Sequence, residues 1–304
     1  MYTLYPDVSQ KIENIIKKLE LNLCSKGVKD FIKEKRRFYH AVVKTKGGKK
    51  AFFKTLLGKE VGIKNRFLNE IKFLKTLREN PKHPLSELVP KIFKYSLNPS
   101  FPYLLEEFLP GKSKKREDKF SKEEIKKIVE LIKLINSSGI IFNFVPKKPL
   151  FNFSFYKEKI FFYFKKIEIK FKIKEKIKNF INRNQKIFYK AKPKLTHGDF
   201  SEANLIFFKD KIKITDWEHV HLRNPLHDLA GFWIKRRNYP KEQEILIKEY
   251  LKKGDLFFPP LFKLALIENA LQDLMLFQKI LKSSKNKKVK REEREILELI
   301  EKGI

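Results

Sequence analysis

Apolar positions at Ile12, Ile15, Ile16 and Leu19 share one face over residues 8–20, which predicts a short helix. From 28 to 56 the rhythm becomes strand-like. Phe38, His40 and Val42 alternate with Tyr39, Ala41 and Val43; Lys46-Gly47-Gly48 supplies a hairpin turn; Ala51-Phe52-Phe53-Lys54 is the return strand. Helical spacing resumes over 62–79 with Phe67, Ile71, Leu74 and Leu77. Ile92–Tyr95 and Tyr103–Phe108 predict two more strands around an Asn98-Pro99 turn.

Leu109-Pro110-Gly111 and the charged stretch after it predict a connector. Ser121, with Glu124 three residues on, carries the pattern of a capping box and opens a helix over 122–136. Residues 147–190 fit two periods. Ile167, Ile169, Phe171 and Ile173 alternate, whereas Ile173, Ile177, Phe180 and Ile181 fit a helix, and helix is favoured. Leu205–Phe208 and Ile212–Thr215 predict a hairpin. From 226 to 302 the pattern is helical, with breaks at Pro240, Gly254 and the Ser283–Lys288 stretch. A β-rich first third followed by helices predicts an α+β chain of two lobes, 1–109 and 110–304, without internal repeats.

At 304 residues with 42% hydrophobic positions, the chain can bury a substantial core, which excludes a disordered protein. There is no run of 18 apolar residues to span a membrane, and the first residues lack the basic-then-apolar pattern of a secretory signal. Cys24 is the single cysteine, so an intrachain disulfide and Cys-rich zinc sites are excluded. A cytoplasmic protein is expected. The formal charge is +33, which would suit nucleic acid or an anionic membrane. Yet only 11 of the 69 basic residues are Arg, the better reader of phosphates and base edges. Abundant Lys, Phe and Ile with few Gly and Pro fit A/T-rich codon usage. The runs Lys112–Arg116 and Lys282–Arg291 are expected to be solvated loops.

The densest chemistry lies in Leu195-Thr196-His197-Gly198-Asp199-Phe200-Ser201-Glu202-Ala203-Asn204, followed by a hairpin and Asp216-Trp217-Glu218. Phosphoryl transfer from a nucleotide needs a carboxylate to orient the attacking hydroxyl and oxygen ligands to hold Mg²⁺ on the phosphates. Asp199 suits the first role; Asn204 and Asp216 suit the second, because two antiparallel strands return Asp216 towards Asn204.

The segment 195–230 resembles the aminoglycoside phosphotransferase and choline kinase family, within the protein-kinase-like superfamily. Three motifs stand in order: His197-Gly198-Asp199 with Asn204, Asp216-Trp217-Glu218, and Pro225-Leu226-His227-Asp228-Leu229-Ala230. The resemblance implies a small N-lobe of about five antiparallel strands plus one helix, and a larger, mostly helical C-lobe. It implies ATP and Mg²⁺ as cofactors and a small-molecule hydroxyl as acceptor. Asp199 is then the catalytic base, with Asn204 and Asp216 the metal ligands. It makes Lys54 the lysine on the nucleotide phosphates and Glu70 its helix partner. Leu104–Gly111 becomes the hinge that receives adenine, through Glu107 and Leu109. His197, Glu218 and Asp228 are expected to support the loop and the metal turn, and Trp217 to pack. One feature departs from the family pattern: the loop Ser25–Arg36, expected over the phosphates, holds a single glycine, Gly27, with Lys33, Lys35 and Arg36 as substitute charges.

Competing readings use the same residues. Zinc could be held by His219 and His221, if a strand pointed both rings one way; the family resemblance makes that stretch a loop. A peptide kinase would need a long segment after the metal-binding Asp, whereas eleven residues separate Asp216 from Asp228. Glu268 and Asp273 offer charges to an amine-bearing acceptor. The remaining alternative is a basic nucleic-acid- or membrane-binding protein on a kinase-like scaffold. Codon-driven charge predicts weak nucleic-acid binding that disappears steeply with salt. Nanomolar, sequence-selective binding in mobility shifts at ~0.15 M salt would contradict it.

Overall fold

The computed structural model describes residues 4, 7–24, 28–34, 36–98, 100–138, 151–251 and 258–303. In chain order the first elements are α1 (Val8–Lys18), β1 (Asn22–Leu23), α2 (Val28–Lys33), β2 (Phe38–Lys44), β3 (Lys50–Leu56), α3 (Val61–Glu79), β4 (Ile92–Ser96), β5 (Tyr103–Glu107) and β6 (Lys112–Ser113). Helices α4 (Lys122–Ser137), α5 (Phe153–Lys166), α6 (Phe171–Arg183) and α7 (Gln185–Lys190) follow. Then come β7 (Lys194–Thr196), β8 (Leu205–Phe208), β9 (Lys211–Ile214), β10 (His221–Arg223), α8 (His227–Lys235), α9 (Pro240–Tyr250), α10 (Phe258–Ser283) and α11 (Lys287–Gly303). Contacts divide the chain into two compact units. One combines the chain up to Lys114 with Ala203–Val220. The other combines the chain from Lys115 into α4, the stretch from 151 to Glu202, and His221 onwards.

The first unit carries an antiparallel sheet in the order β1-β2-β3-β5-β4. The predicted hairpin is present, and Gly48 at φ 74° takes the left-handed turn position that glycine tolerates. Tyr39, Ala41 and Val43 are buried, as the alternation requires. On the opposite face, Phe38 meets Phe67 of α3 edge-on at 5.5 Å between centroids. Lys54 lies within β3 rather than at its end. The stretch from 28 was expected to be strand-like, but α2 is a helix there. Phe31 explains its position: its ring packs edge-on against Tyr39 at 5.1 Å and His40 at 4.9 Å, an anchor that periodicity does not reveal. A second sheet, β6-β8-β9, belongs to the same unit. Gly111 is required beside it, because a Cβ there would lie 2.3 Å from the Phe207 carbonyl oxygen.

The second unit is helical, with a small β7–β10 ladder pairing Thr196 with His221. The region from 151 to 190 resolves as three helices, as favoured; 147–150 and the predicted break at Gly254 lie outside the described residues. The capping box is complete: Glu124 N–H donates to Ser121 Oγ, and Ser121 N–H to Glu124 Oε2. Helix α8 is fastened through Arg236. Its guanidinium is fully buried and donates to Glu242 Oε2 (2.8 Å), the Arg116 carbonyl (3.0 Å) and the Asp118 carbonyl (2.7 Å).

Glu268 on α10 is buried against Lys159, with Arg223 at 3.7 Å and His227 at 3.8 Å. Burial opposes its charge, but Lys159 and its neighbours outweigh that and hold the carboxyl down at about 2. Burial pushes the imidazoles of His227 and His221 down, to about 3 and about 4. In each case the unfolded chain binds the proton more readily, so stability rises with pH. The contribution of these three groups to stability should therefore fall as pH drops from about 6.5 towards 3. Denaturant unfolding of the parent and of His227→Gln isolates one of them: the parent-minus-variant stability should shrink as pH drops from about 6.5 to ~5.

Candidate active site

Lys54 has almost no solvent contact, so its ammonium must be neutralised within the protein. Nζ lies 2.8 Å from Glu70 Oε2 and 2.7 Å from Asp216 Oδ1. It also sits 4.8 Å from the Phe38 ring centre, a cation–π contact. Burial works against the charge; the two carboxylates overcome it and raise the ammonium above its ordinary range. Burial pushes the Glu70 carboxyl up, against the pull of Lys54.

These partners meet because of packing. Glu70 and Phe73 are three residues apart on α3, hence neighbours on its surface. Phe73 stacks on Trp217 at 4.4 Å between centroids, and Trp217 is the residue after Asp216. Trp217 Nε1–H donates to the Ile214 carbonyl, which fixes the ring to its own turn. Asp216 itself is left-handed (φ 63°, ψ 57°), a conformation costing about 1–3 kcal/mol for a non-glycine residue. Register pairs Leu205 with Ile214, and Thr215 N–H donates to the Asn204 carbonyl, so the hairpin returns Asp216 beside Asn204.

A cavity of about 660 Å³ opens in this unit. Lys54, Glu70, Asn204, Asp216 and Glu218 line its polar part; Phe52, Phe108, Leu109 and Ile206 line its apolar part. Glu107 contributes backbone here, since its carboxylate takes Lys213 Nζ at 2.8 Å and Lys91 N–H at 3.2 Å. Those bonds hold it below the usual range despite burial. The glycine-poor loop falls partly outside the described residues, at 25–27 and 35. Arg36 does line the cavity, paired with Glu34.

The donor set suits a hard cation. A carboxylate and an amide oxygen are the ligands Mg²⁺ takes from a protein, with phosphates completing its shell. Glu218 Oε2, on the same wall, is buried and has no hydrogen-bond partner among the described residues. The zinc arrangement is not formed. His219 lies in a short 3-10 turn with Nε2 3.3 Å from Glu218, and the His221 ring meets the Leu222 carbonyl. No group of three or more His, Cys, Asp or Glu is placed to hold a metal among the described residues.

Asp199 belongs to the helical unit. Its loop hangs on Asp228, whose Oδ2 accepts from His197 N–H at 2.7 Å and Oδ1 from Gly198 N–H at 2.9 Å. Gly198 has φ 84°, which admits glycine readily. Asp199 N–H then donates to His197 Nδ1 at 3.3 Å. The Asp199 carboxylate meets Lys235 Nζ at 3.0 Å. A small depression beside it is lined by Lys235, Asn269, Gln272 and Asp273.

A sequence profile of the phosphotransferase enzyme family matches residues 60–260. The chain belongs to that family. The match bears out the resemblance carried by the three motifs, and solved structures bear out the protein-kinase-like α+β fold. Choline kinase LicA from Streptococcus pneumoniae is 15% identical over 97% of this chain and 99% of its own, at a TM-score of 0.62. An ethanolamine kinase from Plasmodium vivax is 15% identical over 96% and 84%, at 0.61. Spectinomycin phosphotransferase APH(9)-Ia, solved with ADP and spectinomycin, is 14% identical over 96% and 97%, at 0.59. No curated protein matches by sequence.

Two residues of this phosphotransferase escaped the sequence reading. Lys235 is one lysine among 58, marked only by its place on the helix that begins beside Asp228. Glu106 carries little mark inside the hinge segment: it is the first of the two acids that end β5, and the sequence does not separate it from Glu107. Conversely, Glu268, expected to be open to an amine, is taken up by Lys159.

The Lys54–Glu70 pair predicts thermodynamic coupling. In denaturant unfolding, Lys54→Met and Glu70→Gln should each destabilise, and the double variant should fall short of their sum by ~1 kcal/mol or more. Exposed Lys49→Met should stay within ~0.5 kcal/mol of the parent.

Proposed function

We infer that the chain transfers the γ-phosphoryl group of ATP to a hydroxyl of a small molecule. The observation carrying this is Lys54 bridging Glu70 and Asp216 on the wall of a cavity that apolar side chains also line. An ammonium held in place, rather than free to rotate, is suited to aligning nucleotide phosphates. The apolar lining, with the backbone of Glu107 to Leu109, suits a flat base. The neighbours' ADP, choline-kinase and ethanolamine-kinase activities agree with such a reaction.

In this reading the first unit is the nucleotide-binding lobe, and the second supplies the base and the acceptor site. Asn204 and Asp216 hold Mg²⁺, with Glu218 supporting the same turn; the ion would neutralise charge on the phosphates. Asp199 orients the acceptor hydroxyl and takes its proton as the oxygen bonds to the γ-phosphorus and the bond to the departing ADP oxygen breaks. His197 and Asp228 keep that carboxylate in place through the loop backbone. Lys235 fixes one of its oxygens. The acceptor face offers the Lys235 ammonium as well as Asp273, so a hydroxyl compound carrying acceptor groups fits better than a bare polyamine.

Asp199→Asn keeps the shape and removes the charge. With an acceptor found by screening sugars, alcohols and amino alcohols for ATP consumption, kcat should fall by ~10²-fold or more. Thermal stabilisation by ATP with Mg²⁺ should persist in the variant, because nucleotide binding does not use Asp199. Turnover at the parent rate would remove Asp199 from the role of base.

A further inference from the structure

The wall of the nucleotide cavity holds a carboxyl group that phosphoryl transfer does not employ. Glu106 is 7% exposed on β5 and lines the cavity. Register sets it opposite Phe52 of β3, as Leu104 is set opposite Lys54. Opposed residues share a face, so Glu106 and Lys54 both project to the cavity side, separated by two residues, about 7 Å along the strand. Adjacent Glu107 projects to the other side and is satisfied by Lys213 and Lys91. The Glu106 side chain makes no hydrogen bond or ion pair among the described residues. Groups of this kind are ordinarily paired, and a buried one left open marks a place for a ligand. Burial, reinforced by Glu70 and against the pull of Lys54, pushes the carboxyl up to about 8, so it keeps its proton near neutrality. A protonated carboxyl presents one donor and one acceptor side by side.

We propose that Glu106 selects the nucleobase, its carboxyl donating to N7 and accepting from the exocyclic amine of adenine. This rests on the nucleotide reading of the cavity. The backbone of Glu107 to Leu109 continues from Glu106, so with that backbone taking one edge of the base, the proposal sets the adjoining N6/N7 edge against the Glu106 carboxyl. Adenine offers there a donor and an acceptor, whereas guanine offers two acceptors. Guanine would therefore set a carbonyl oxygen against the carboxyl oxygen, which makes Glu106 a discriminator as well as a contact.

The test is thermal-shift and calorimetric titration of the full chain with ATP, GTP and 7-deaza-ATP, each with Mg²⁺. The parent should bind ATP roughly tenfold more tightly than either analogue. Glu106→Leu keeps the site apolar and should bring all three within about threefold of each other, chiefly by weakening ATP. Glu106→Gln, whose amide presents the same donor and acceptor, should preserve the parent's order of affinities. If Glu106→Leu folds and retains the parent's ratios, the proposal is overturned while the nucleotide reading stands. If no nucleotide binds the parent, both fall together.

Discussion

Burying a lysine ammonium is the constraint around which the sheet-bearing unit is arranged. A charge removed from water must find its counter-charges inside, or the group gives up its proton. Lys54 finds Glu70 on α3 and Asp216 on the turn after β9. Those carboxylates come from segments 16 and 162 residues away in sequence. Helix α3 must therefore lie with its Glu70 face towards β3, and the hairpin must deliver its turn to the same place. The Phe73–Trp217 stack supplies apolar contact for that meeting. The same ammonium that organises the fold is the one the proposed reaction uses, and the left-handed Asp216 is where the arrangement stores backbone strain.

The helical unit handles charge differently. Asp228 has no cationic partner as its main support; two backbone N–H groups of the Asp199 loop satisfy it. Burial raises its carboxyl above the ordinary range, against the pull of His197 and those bonds. Such a group acts as a clamp on backbone geometry. Glu268 stands at the other extreme, held low by Lys159 with Arg223 and His227 near, and serves packing among α5, α8 and α10. Asp199 differs from both: it is nearly half exposed and linked to Lys235, the accessibility that the proposed base needs.

Much of this was legible from one dimension. The three motifs from 195 to 230 name the family because their residues are neighbours in sequence, within two hairpin strands or one helix turn. The β2–β3 hairpin was written in alternation and Gly47-Gly48, and the capping box in Ser121 and Glu124. Period and local turn chemistry need no distant contact to be read. Helix α2 was not legible, since its place depends on Phe31 meeting Tyr39 and His40. Nor was the short β10 strand, whose reason for existing is β7, 25 residues earlier.

The sequence by itself determined the order of strands and helices, the family, and the candidate acid, amide and metal-turn residues. Only the tertiary structure decided that Lys54 is buried between two carboxylates, which lysine meets Asp199, and which glutamate of the adjacent pair Glu106-Glu107 is left unpaired in the cavity. The physical reason is that a side chain's charge state and availability follow from burial and from partners far away in sequence. Identical residue types in similar local surroundings differ only once the chain has folded around them.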